Sequence, residues 1–410
     1  MSAQGITEIV ADAIELEGEE RTAYLDRVCG KDGARRAEVD SLLMLYEQED
    51  DDFLETPAAE QMAQAAAARS QGASVPERIA NYRLLRRLGE GGMGTVYLAE
   101  MDEPVKRRVA LKVVRVLHSN ALRRRFAAEC QALARLSHPN IAALYEVGTT
   151  DDGDGLPYLA MELADGPPIT EWCDRKKIDL NSRLRLFLGV CAGIKHAHEK
   201  GVLHCDLKPS NVLVTSLDGQ DVAKVIDFGI ARALDEPLLE DGQATRELLL
   251  GSPPYISPEA LSRGGRRHLD ARTDFYSLGL LLYELVTGAL PFDSEDSSLW
   301  TLLRRINDSD PPSPSSRFLR LEAARAQEVA AHLGTAPPRL GRRLRGDLDA
   351  IILRAIDRDP DRRYGSPSEL AADIERHLGH RPIEARPPSA LYVARRFARR
   401  HGGAVAAAVL

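Results

Sequence analysis

The sequence predicts a bilobal α+β fold, in which a small β-rich lobe precedes a larger helical lobe and a short helical segment comes first. Two observations support this prediction. Between Tyr82 and Leu163, short apolar runs of strand length alternate with turn residues. After Gly166, apolar residues recur at helical spacing in long segments such as Asn181–Lys200, Thr273–Thr287 and Pro367–Leu378. A short strand is predicted at Val202–His204 and a loop at Gly334–Gly341.

Composition divides the chain into four regions. An acidic helical start is followed by an Ala/Gln/Ser-rich linker, a long stretch of mixed composition and a basic end. Within the long stretch, the change from strand spacing to helical spacing separates the two lobes. The predicted regions are the N-terminal region at 1–57, the linker at 58–78, the bilobal domain at 79–380 with lobes at 79–164 and 165–380, and the basic tail at 381–410.

Charge and cysteine content narrow the class of protein. The net charge of −8 comes from residues 1–75, and the rest of the chain is slightly positive. Because this weak positive charge is spread along the whole remainder, we predict no nucleic-acid partner. The 5 cysteines lack metal-ligand spacing, which indicates a reducing cytosol. No apolar stretch follows a basic start at Met1, so no secretory signal is predicted.

Each end of the chain allows two interpretations. The acidic N-terminal region, with a predicted helix at Ala34–Tyr46, is either an autoregulatory or partner-docking module or a solubilising extension. The basic run from Arg395 to His401 precedes the small apolar residues 402–410. This stretch is too short to span a bilayer, which needs about 20 residues. It is either the start of a membrane-spanning helix, with attachment just beyond residue 401, or a frayed basic end.

A glycine-rich turn joins the strands predicted at Tyr82–Leu88 and Thr95–Ala99. The turn reads Gly89-Glu-Gly-Gly-Met-Gly-Thr-Val96 and fits the pattern G-x-G-x-x-G-x-V. Glycine lets the backbone approach a phosphate closely, because a Cβ would block that approach. A strand rather than a helix follows the turn, which argues against a dinucleotide-binding fingerprint. The turn is therefore a candidate phosphate loop, and the alternative is a plain Gly-rich hairpin.

A lysine lies inside the next apolar strand. Lys112 ends the run Val109-Ala-Leu-Lys112, where an unpaired ammonium would be costly to bury. Its natural partner is Glu129 on the helix predicted at Ala121–Leu136, and the paired ammonium is placed to hold nucleotide phosphates. The alternative is a surface lysine beside a solvated glutamate.

The most specific signal is His204-Cys-Asp-Leu-Lys-Pro-Ser-Asn211, followed by Asp227-Phe-Gly229. In phosphoryl transfer, one carboxylate accepts the proton of the attacking hydroxyl, and Asp206 suits that role. Asn211 and Asp227 supply oxygen ligands for magnesium. Lys208 is placed to neutralise charge on the transferred group. Four motifs in this order leave chance loop turns as a negligible explanation.

These motifs resemble the eukaryotic-like protein kinase family over roughly Tyr82 to Leu378. More narrowly, the chain is similar to bacterial Hanks-type Ser/Thr kinases that carry an acidic helical N-terminus and a basic juxtamembrane end. The resemblance implies the protein kinase fold and transfer of the γ-phosphoryl of ATP to protein Ser/Thr hydroxyls in bacterial signal transduction. It also implies ATP with Mg²⁺ or Mn²⁺, self-association for trans-autophosphorylation, and a cytoplasmic kinase domain tethered to the inner membrane through its C-terminal end.

The resemblance further implies a nucleotide site. Met161 would be the gatekeeper, the backbone of Glu162 and Ala164 would contact adenine, and Val96 and Ala110 would sandwich the base. The implied ATP-site residues are Leu88, Gly89, Glu90, Gly91, Gly92, Met93, Gly94, Val96, Ala110, Lys112, Met161, Glu162, Ala164, Asn211 and Asp227.

Supporting contacts are implied in the same way. Leu133, His204 and Phe228 would stack as a regulatory spine, and Asp274 would anchor the catalytic loop. The activation segment would end at Gly251–Glu259, with Ser252 facing substrate, Thr245 as a candidate phosphorylation site, and Glu259 paired with Arg363.

One departure from the family matters for regulation. Cys205 replaces the arginine that ordinarily grips an activation-loop phosphate, and a neutral thiol cannot make that pair. We therefore expect activity to depend little on phosphorylation of Thr245. An ATP-binding pseudokinase and a kinase of small molecules remain alternatives. The presence of Lys112, Glu129 and Asp206 favours an enzyme, and the activation-segment motif favours a protein substrate.

Overall fold

The structure is a computed structural model of the 410-residue chain. The residues that it describes are 9, 13, 16, 18–30, 36, 39–40, 77–91, 94–102, 105–114, 120–150, 155–217, 219–228, 253–261, 270–292, 299–387 and 389–400.

The first lobe is built on a six-stranded antiparallel sheet in the order β1-β2-β3-β4-β6-β5. Gly94, at the start of the third strand, has φ 153°, and a Cβ there would lie 2.0 Å from the carbonyl oxygen of Val113. Only glycine therefore fits this approach between neighbouring strands. The strands are β1 (Arg78–Ile79), β2 (Tyr82–Gly91), β3 (Gly94–Met101), β4 (Arg107–Val114), β5 (Leu144–Thr149) and β6 (Pro157–Glu162).

One face of this sheet has its own apolar cluster, which includes Tyr82, Leu111 and Tyr158. The hydroxyls of Tyr82 and Tyr158 both donate to Glu146, at 2.7 and 2.8 Å. This shared acceptor satisfies two phenols that are otherwise buried, so the outer part of the lobe is held by packing and by a closed polar network.

The second lobe is helical, with a small hairpin of β7 (Val212–Leu217) and β8 (Gln220–Val225) against it. Its central helix, Ala271–Thr287, is buried over almost its whole length, begins at the N-cap Asp270 and ends at Gly288 in the left-handed region. The helices of the chain are α1 (Gly18–Cys29), α2 (Asn120–Leu133), α3 (Ile169–Arg175), α4 (Leu180–Glu199), α5 (Pro258–Leu261), α6 (Ala271–Thr287), α7 (Leu299–Asp308), α8 (Pro314–Arg320), α9 (Ala323–His332), α10 (Pro337–Leu344), α11 (Asp347–Ala355), α12 (Pro367–Leu378) and α13 (Ala390–Arg400).

The predicted fold class is confirmed: a β-rich lobe is followed by a helical lobe, and the helix α1 lies before both. The predicted N-terminal helix Ala34–Tyr46 falls largely outside the described residues, which include Arg36, Val39 and Asp40 from it.

The basic end of the chain is helical as far as Arg400, and one side of this helix contacts the helical lobe. Arg396 is 8% exposed and pairs with the buried carboxylate of Asp347, which also accepts a hydrogen bond from Tyr392 at 3.1 Å. The expectation of a frayed basic end is therefore wrong for residues 389–400, while residues 402–410 lie outside the described part. In the described ranges, no helix is both long enough and apolar enough to cross a membrane.

Candidate active site

The strand register brings four of the predicted nucleotide-site side chains to one face of the sheet. Val96 lies directly opposite Lys112 on β3 and β4, and Ala110 lies opposite Met161 on β4 and β6. Opposite residues share a face, and residues two apart on one strand do as well. Val96, Ala110, Lys112 and Met161 therefore line the face opposite to the Tyr82 cluster.

The glycine-rich turn lies at the end of the same hairpin. Gly91 pairs with Gly94 across the turn, and Leu88 and Glu90 are exposed next to it. Glu90 forms an ion pair with Arg87 on its own strand. The turn residues at 92 and 93 lie outside the described residues.

Lys112 is only 8% exposed and forms its ion pair with Asp227, with 2.9 Å between Nζ and Oδ1. No ion pair joins it to Glu129, although both residues are described, so the predicted Lys112–Glu129 pair is wrong for this conformation. The physical reason is that the buried ammonium needs a carboxylate partner, and the carboxylate of Asp227 lies within 2.9 Å of it. This carboxylate satisfies the buried ammonium in place of Glu129.

The hairpin of β7 and β8 brings two further predicted residues together. Asn211 immediately precedes β7, and Ile226 and Asp227 immediately follow β8. Val212 pairs with Val225, and the amide of Ile226 donates to the carbonyl of Asn211 at 2.9 Å. Asn211 and Asp227, which are far apart in sequence, thus lie on neighbouring strand ends.

Asp206 is held by two of the residues predicted to work with it. Lys208 Nζ lies 2.9 Å from Asp206 Oδ2, and Asn211 Nδ2 donates to the same oxygen at 3.2 Å. Asn211 Nδ2 also donates to the main-chain oxygen of Asp206 at 2.7 Å. The loop therefore fixes one carboxylate between an ammonium and an amide, a geometry suited to accepting a proton from a bound hydroxyl.

Asp274 on α6 anchors the catalytic loop through hydrogen bonds, as predicted. Asp274 accepts from the main-chain amides of His204 and Cys205, both at 2.8 Å, and from His198 Nε2 at 2.7 Å. Burial by itself raises the pKa of Asp274, but the hydrogen bond and charge of His198, with His204, outweigh it and hold the pKa below its usual value. The anchor also fixes Cys205, whose φ of 63° is unfavourable for a non-glycine residue.

His204 links the catalytic loop to the segment that carries Asp227. Its ring is fully buried, its Nε2 lies 3.0 Å from the carbonyl oxygen of Ile226, and it contacts the ring of Phe228 in a tilted arrangement with 4.8 Å between centroids. Leu133 of α2 and Phe228 belong to the same core cluster, and His204 contacts Phe228. Burial lowers the pKa of His204, because the charged imidazolium is poorly solvated there.

Two contacts of the site were missed from the sequence. Lys224 is 5% exposed and pairs with Glu162 at 2.8 Å, and Glu162 also accepts from the amide of Ala143. The side chain of this predicted hinge residue thus ties β6 to β8. Separately, the Tyr255 hydroxyl donates to Glu284. A lysine inside the apolar strand Val222-Ala-Lys-Val225 was the only available signal for the first contact.

The predicted ion pair between Glu259 and Arg363 is present, and it fixes the end of the activation segment to the helical lobe. Arg363 donates to both carboxylate oxygens of Glu259, at 2.8 and 2.7 Å. Burial raises the pKa of Glu259, but the hydrogen bonds and charge of Arg363 more than compensate and lower it. The candidate residues Thr245 and Ser252 lie outside the described residues.

A two-lobed fold with a buried lysine on the sheet paired to an aspartate, and with a second aspartate held by a lysine and an asparagine on a loop of the helical lobe, is typical of protein kinases. The sequence profile of the protein kinase domain matches residues 82–373. The chain therefore belongs to the protein kinase family.

Its relatives are bacterial Hanks-type Ser/Thr kinases. Serine/threonine-protein kinase Pkn1 of Myxococcus xanthus is 34% identical over 304 residues, covering 72% of this chain and 38% of the relative. PknB of Mycobacterium tuberculosis is 34% identical over 310 residues, covering 74% and 44%. The solved PknI kinase domain of M. tuberculosis has a TM-score of 0.52 and 26% identity, covering 75% of this chain and 100% of that one. The chain thus spans less than half the length of these two curated relatives.

Proposed function

We propose that this chain is an active Ser/Thr protein kinase, which transfers the γ-phosphoryl of ATP to a serine or threonine hydroxyl of a protein. The main observation behind the proposal is how Asp206 is held. Its carboxylate pairs with Lys208 and accepts a hydrogen bond from Asn211, and its loop is anchored to α6. A carboxylate fixed in this way can orient a substrate hydroxyl and accept its proton as the new O–P bond forms.

The other residues of the site receive roles from their chemistry. Lys208 places a positive charge beside Asp206, where negative charge develops on the transferred group. Lys112 supplies an ammonium for the α- and β-phosphates. We propose that its partner changes from Asp227 to Glu129 when Asp227 takes up its role as a metal ligand.

The donor set fits a hard divalent cation. Asn211 uses Nδ2 to bind Asp206, so its Oδ1 is the atom suited to a cation, and Asp227 adds a carboxylate from the neighbouring strand end. Oxygen donors of this kind suit Mg²⁺ or Mn²⁺. A divalent cation held by Asn211 and Asp227 would supply positive charge to neutralise the nucleotide phosphates. Val96, Ala110 and Met161 offer the apolar surface for adenine, and the backbones of Glu162 and Ala164 its hydrogen bonds.

The direct test is transfer from labelled ATP with Mg²⁺, to the chain itself and to a generic basic protein. Asp206→Asn should abolish transfer, because an amide cannot accept the proton. Asp221→Asn is the matched control, since this aspartate is exposed on the β7–β8 hairpin and bonds to Ser216. Nucleotide binding without transfer by the unaltered chain would instead identify a pseudokinase.

The proposal extends to the substrates and organisation of the chain. Protein substrates include a second copy of this chain, by trans-autophosphorylation, and the kinase domain comprises residues 79–380 with lobes at 79–164 and 165–380. Mixing the unaltered chain with an Asp206→Asn chain of different mass tests this directly. Phosphate on the inactive copy supports transfer between copies, whereas phosphate on the active copy alone contradicts it.

We also propose that the basic end places the kinase at the cytoplasmic face of the inner membrane, as in the subgroup with an acidic N-terminus and a basic juxtamembrane end. On α13, Leu391 is 82% exposed and Phe397 54% exposed, close to the exposed Arg400. An apolar face beside arginines suits an anionic membrane surface. Leu391→Glu should weaken sedimentation with anionic vesicles, whereas Leu319→Glu, at an exposed leucine of α8, should not; equal binding by both variants would contradict the proposal.

A further inference from the structure

The N-terminal helix α1 has an apolar face that is buried against the kinase domain. Leu25 is 2% exposed and Cys29 5% exposed, and Tyr24 and Val28 pack beside them. These positions recur at helical spacing and therefore form one stripe. On the opposite side of the helix Ala23 is exposed. The helix is thus docked by a defined face.

A second part of the N-terminal region belongs to the same unit. Val39 is fully buried in the cluster that contains Leu25. Arg36 pairs with Asp40 at 2.9 Å and also with Asp26 of α1. Residues 18–40 therefore contribute to the docked surface from two places in the chain, joined by ion pairs. We call this unit the N-terminal segment.

The surface under the N-terminal segment is formed by Ile256, Leu261 and Leu303. Ile256 lies between Tyr255 and the start of α5, which carries Glu259, and Leu303 lies on α7. Tyr255 and Glu259 are themselves fixed to the helical lobe, by Glu284 and by Arg363. The N-terminal segment therefore covers the end of the activation segment, at residues that closely follow the implied substrate-facing residue Ser252 in the sequence.

We propose that the N-terminal segment occupies a docking surface for protein substrates, made by Ile256, Leu261 and Leu303, and that it limits their access in cis. The inference rests on the proposed kinase function and adds regulation to it. Its basis is the position of the contact: the described residues of the segment bury residues next to Tyr255 and Glu259, and none of these described residues belongs to the ATP site on the sheet. Residues that cover this surface compete with a large substrate, and they leave ATP and a short peptide free to bind.

The chain between the docked part and the sheet allows such a contact to open. Residues 41–78 separate Asp40 from the start of the proposed kinase domain at residue 79, and a chain of this length can reach far beyond the dimensions of one lobe when extended. A tethered segment acts at an effective concentration of up to about the millimolar range, so a protein substrate competes only when it binds well or the segment is displaced.

Docking itself can be tested without measuring activity. Cys29 is buried at the contact, so a thiol reagent followed by peptide mass spectrometry reports its exposure. In the full chain, Leu25→Asp should speed modification of Cys29 by about tenfold or more, because opening becomes more frequent. Val39→Asp, which leaves α1 unaltered, should do the same. Ala23→Asp puts the same carboxylate on the exposed face and should have no effect. The buried Cys173 and Cys191 report that the kinase domain stays folded.

The functional consequence is measured with the same full-length variants. Leu25→Asp should raise kcat/KM for a generic basic protein by about tenfold, as expected when a surface covered in about nine molecules of ten is freed. Transfer to a short serine peptide should change less than about twofold, and Ala23→Asp should match the unaltered chain.

Three results overturn the inference. Unchanged Cys29 modification in Leu25→Asp and Val39→Asp shows that the segment is not docked. Unchanged or lower transfer to the protein substrate, with peptide transfer intact, shows that the segment does not limit access, while the kinase assignment stands. Absence of transfer to every substrate, in every variant, removes the proposed function and this inference together.

Discussion

Replacing Asp274 by asparagine removes one charge and leaves the side-chain shape unchanged. The two carboxylate oxygens accept hydrogen bonds from the amides of His204 and Cys205 and from His198. Asparagine has one acceptor oxygen, so at least one of these donors would face an NH₂ group. Because Asp274 is 1% exposed, water cannot replace the lost acceptor.

The magnitude follows from the bonds that are lost or weakened. One hydrogen bond to a charged acceptor is worth about 1.5–3 kcal/mol, and the remaining bonds each lose roughly 1 kcal/mol when the acceptor becomes neutral. We therefore expect Asp274→Asn to lower the free energy of unfolding by about 3–5 kcal/mol. The amide of Cys205 loses its anchor while its backbone stays strained, so Asp206 shifts, and a shift near 1 Å costs on the order of 100-fold in kcat.

Denaturant unfolding and steady-state kinetics measure the two effects separately. The matched control is Asp373→Asn. Asp373 is also fully buried and accepts from Tyr364 at 3.0 Å and from the amides of Glu384 and Ala385, in a part of the helical lobe outside the site. Asp373→Asn should cost similar stability and leave kcat of the folded protein within about twofold.

The reasoning fails in either of two ways. If Asp274→Asn and Asp373→Asn lower kcat equally at a temperature where both are folded, the effect is general loosening and Asp274 does not position the loop. If Asp274→Asn keeps full stability, the three hydrogen bonds do not carry the energy assigned to them.

Three further predictions concern the activation segment and the buried histidine. Thr245→Ala should retain most of its activity, because Cys205 cannot grip a loop phosphate, and a near-complete loss in the kinase assay would contradict this. Arg363→Lys should lower the free energy of unfolding by about 3–5 kcal/mol, because a lysine in this fully buried position cannot bind both carboxylate oxygens of Glu259. Denaturant unfolding measures the change, and a loss below about 1 kcal/mol would refute the argument. His204 has a lowered pKa, so below about pH 6.5 the unfolded chain binds a proton that the folded chain does not. Stability should therefore fall as the pH falls, and His204→Phe should reduce the change in Tm between pH 7.5 and 5.5. The same change in Tm in the variant and in the unaltered chain would contradict this prediction.

The fold was largely predictable from the sequence because its periodicities agree with its tertiary packing. The predicted helix Pro367–Leu378 has the bounds that the structure shows, and the predicted Thr273–Thr287 differs only at its start. In two other segments the local sequence pattern predicted the wrong secondary structure. A loop expected at Gly334–Gly341 is partly the helix Pro337–Leu344, because proline is well tolerated in the first helical turn. The strand expected at Val202–His204 is absent from the described chain, since its backbone pairs with α6 and the preceding helix end.

The candidate site, like the fold, could be predicted from the sequence only in part. Motif spacing named Lys112, Asp206 and Asp227, and the structure brings them to one region through the hairpin and the sheet register. Motif spacing could not identify the partner of Lys112, because Glu129 and Asp227 both offer a carboxylate and only the folded structure shows which one lies within reach. The docking of α1 was equally out of reach, since its apolar stripe does not say which surface it covers.

The contact between Leu25 and Leu303 has a consequence for the order of events during synthesis. A ribosome adds about 5–20 residues per second, so roughly 15–60 s pass between the appearance of one leucine and that of the other. Throughout this time the apolar stripe of α1 has no native surface to cover, while the whole β-rich lobe and the catalytic loop emerge behind it. The surface on α7 that belongs to this cluster therefore becomes available only after the β-rich lobe and the catalytic loop have been synthesised, so the complete contact of the N-terminal segment can form only late in synthesis.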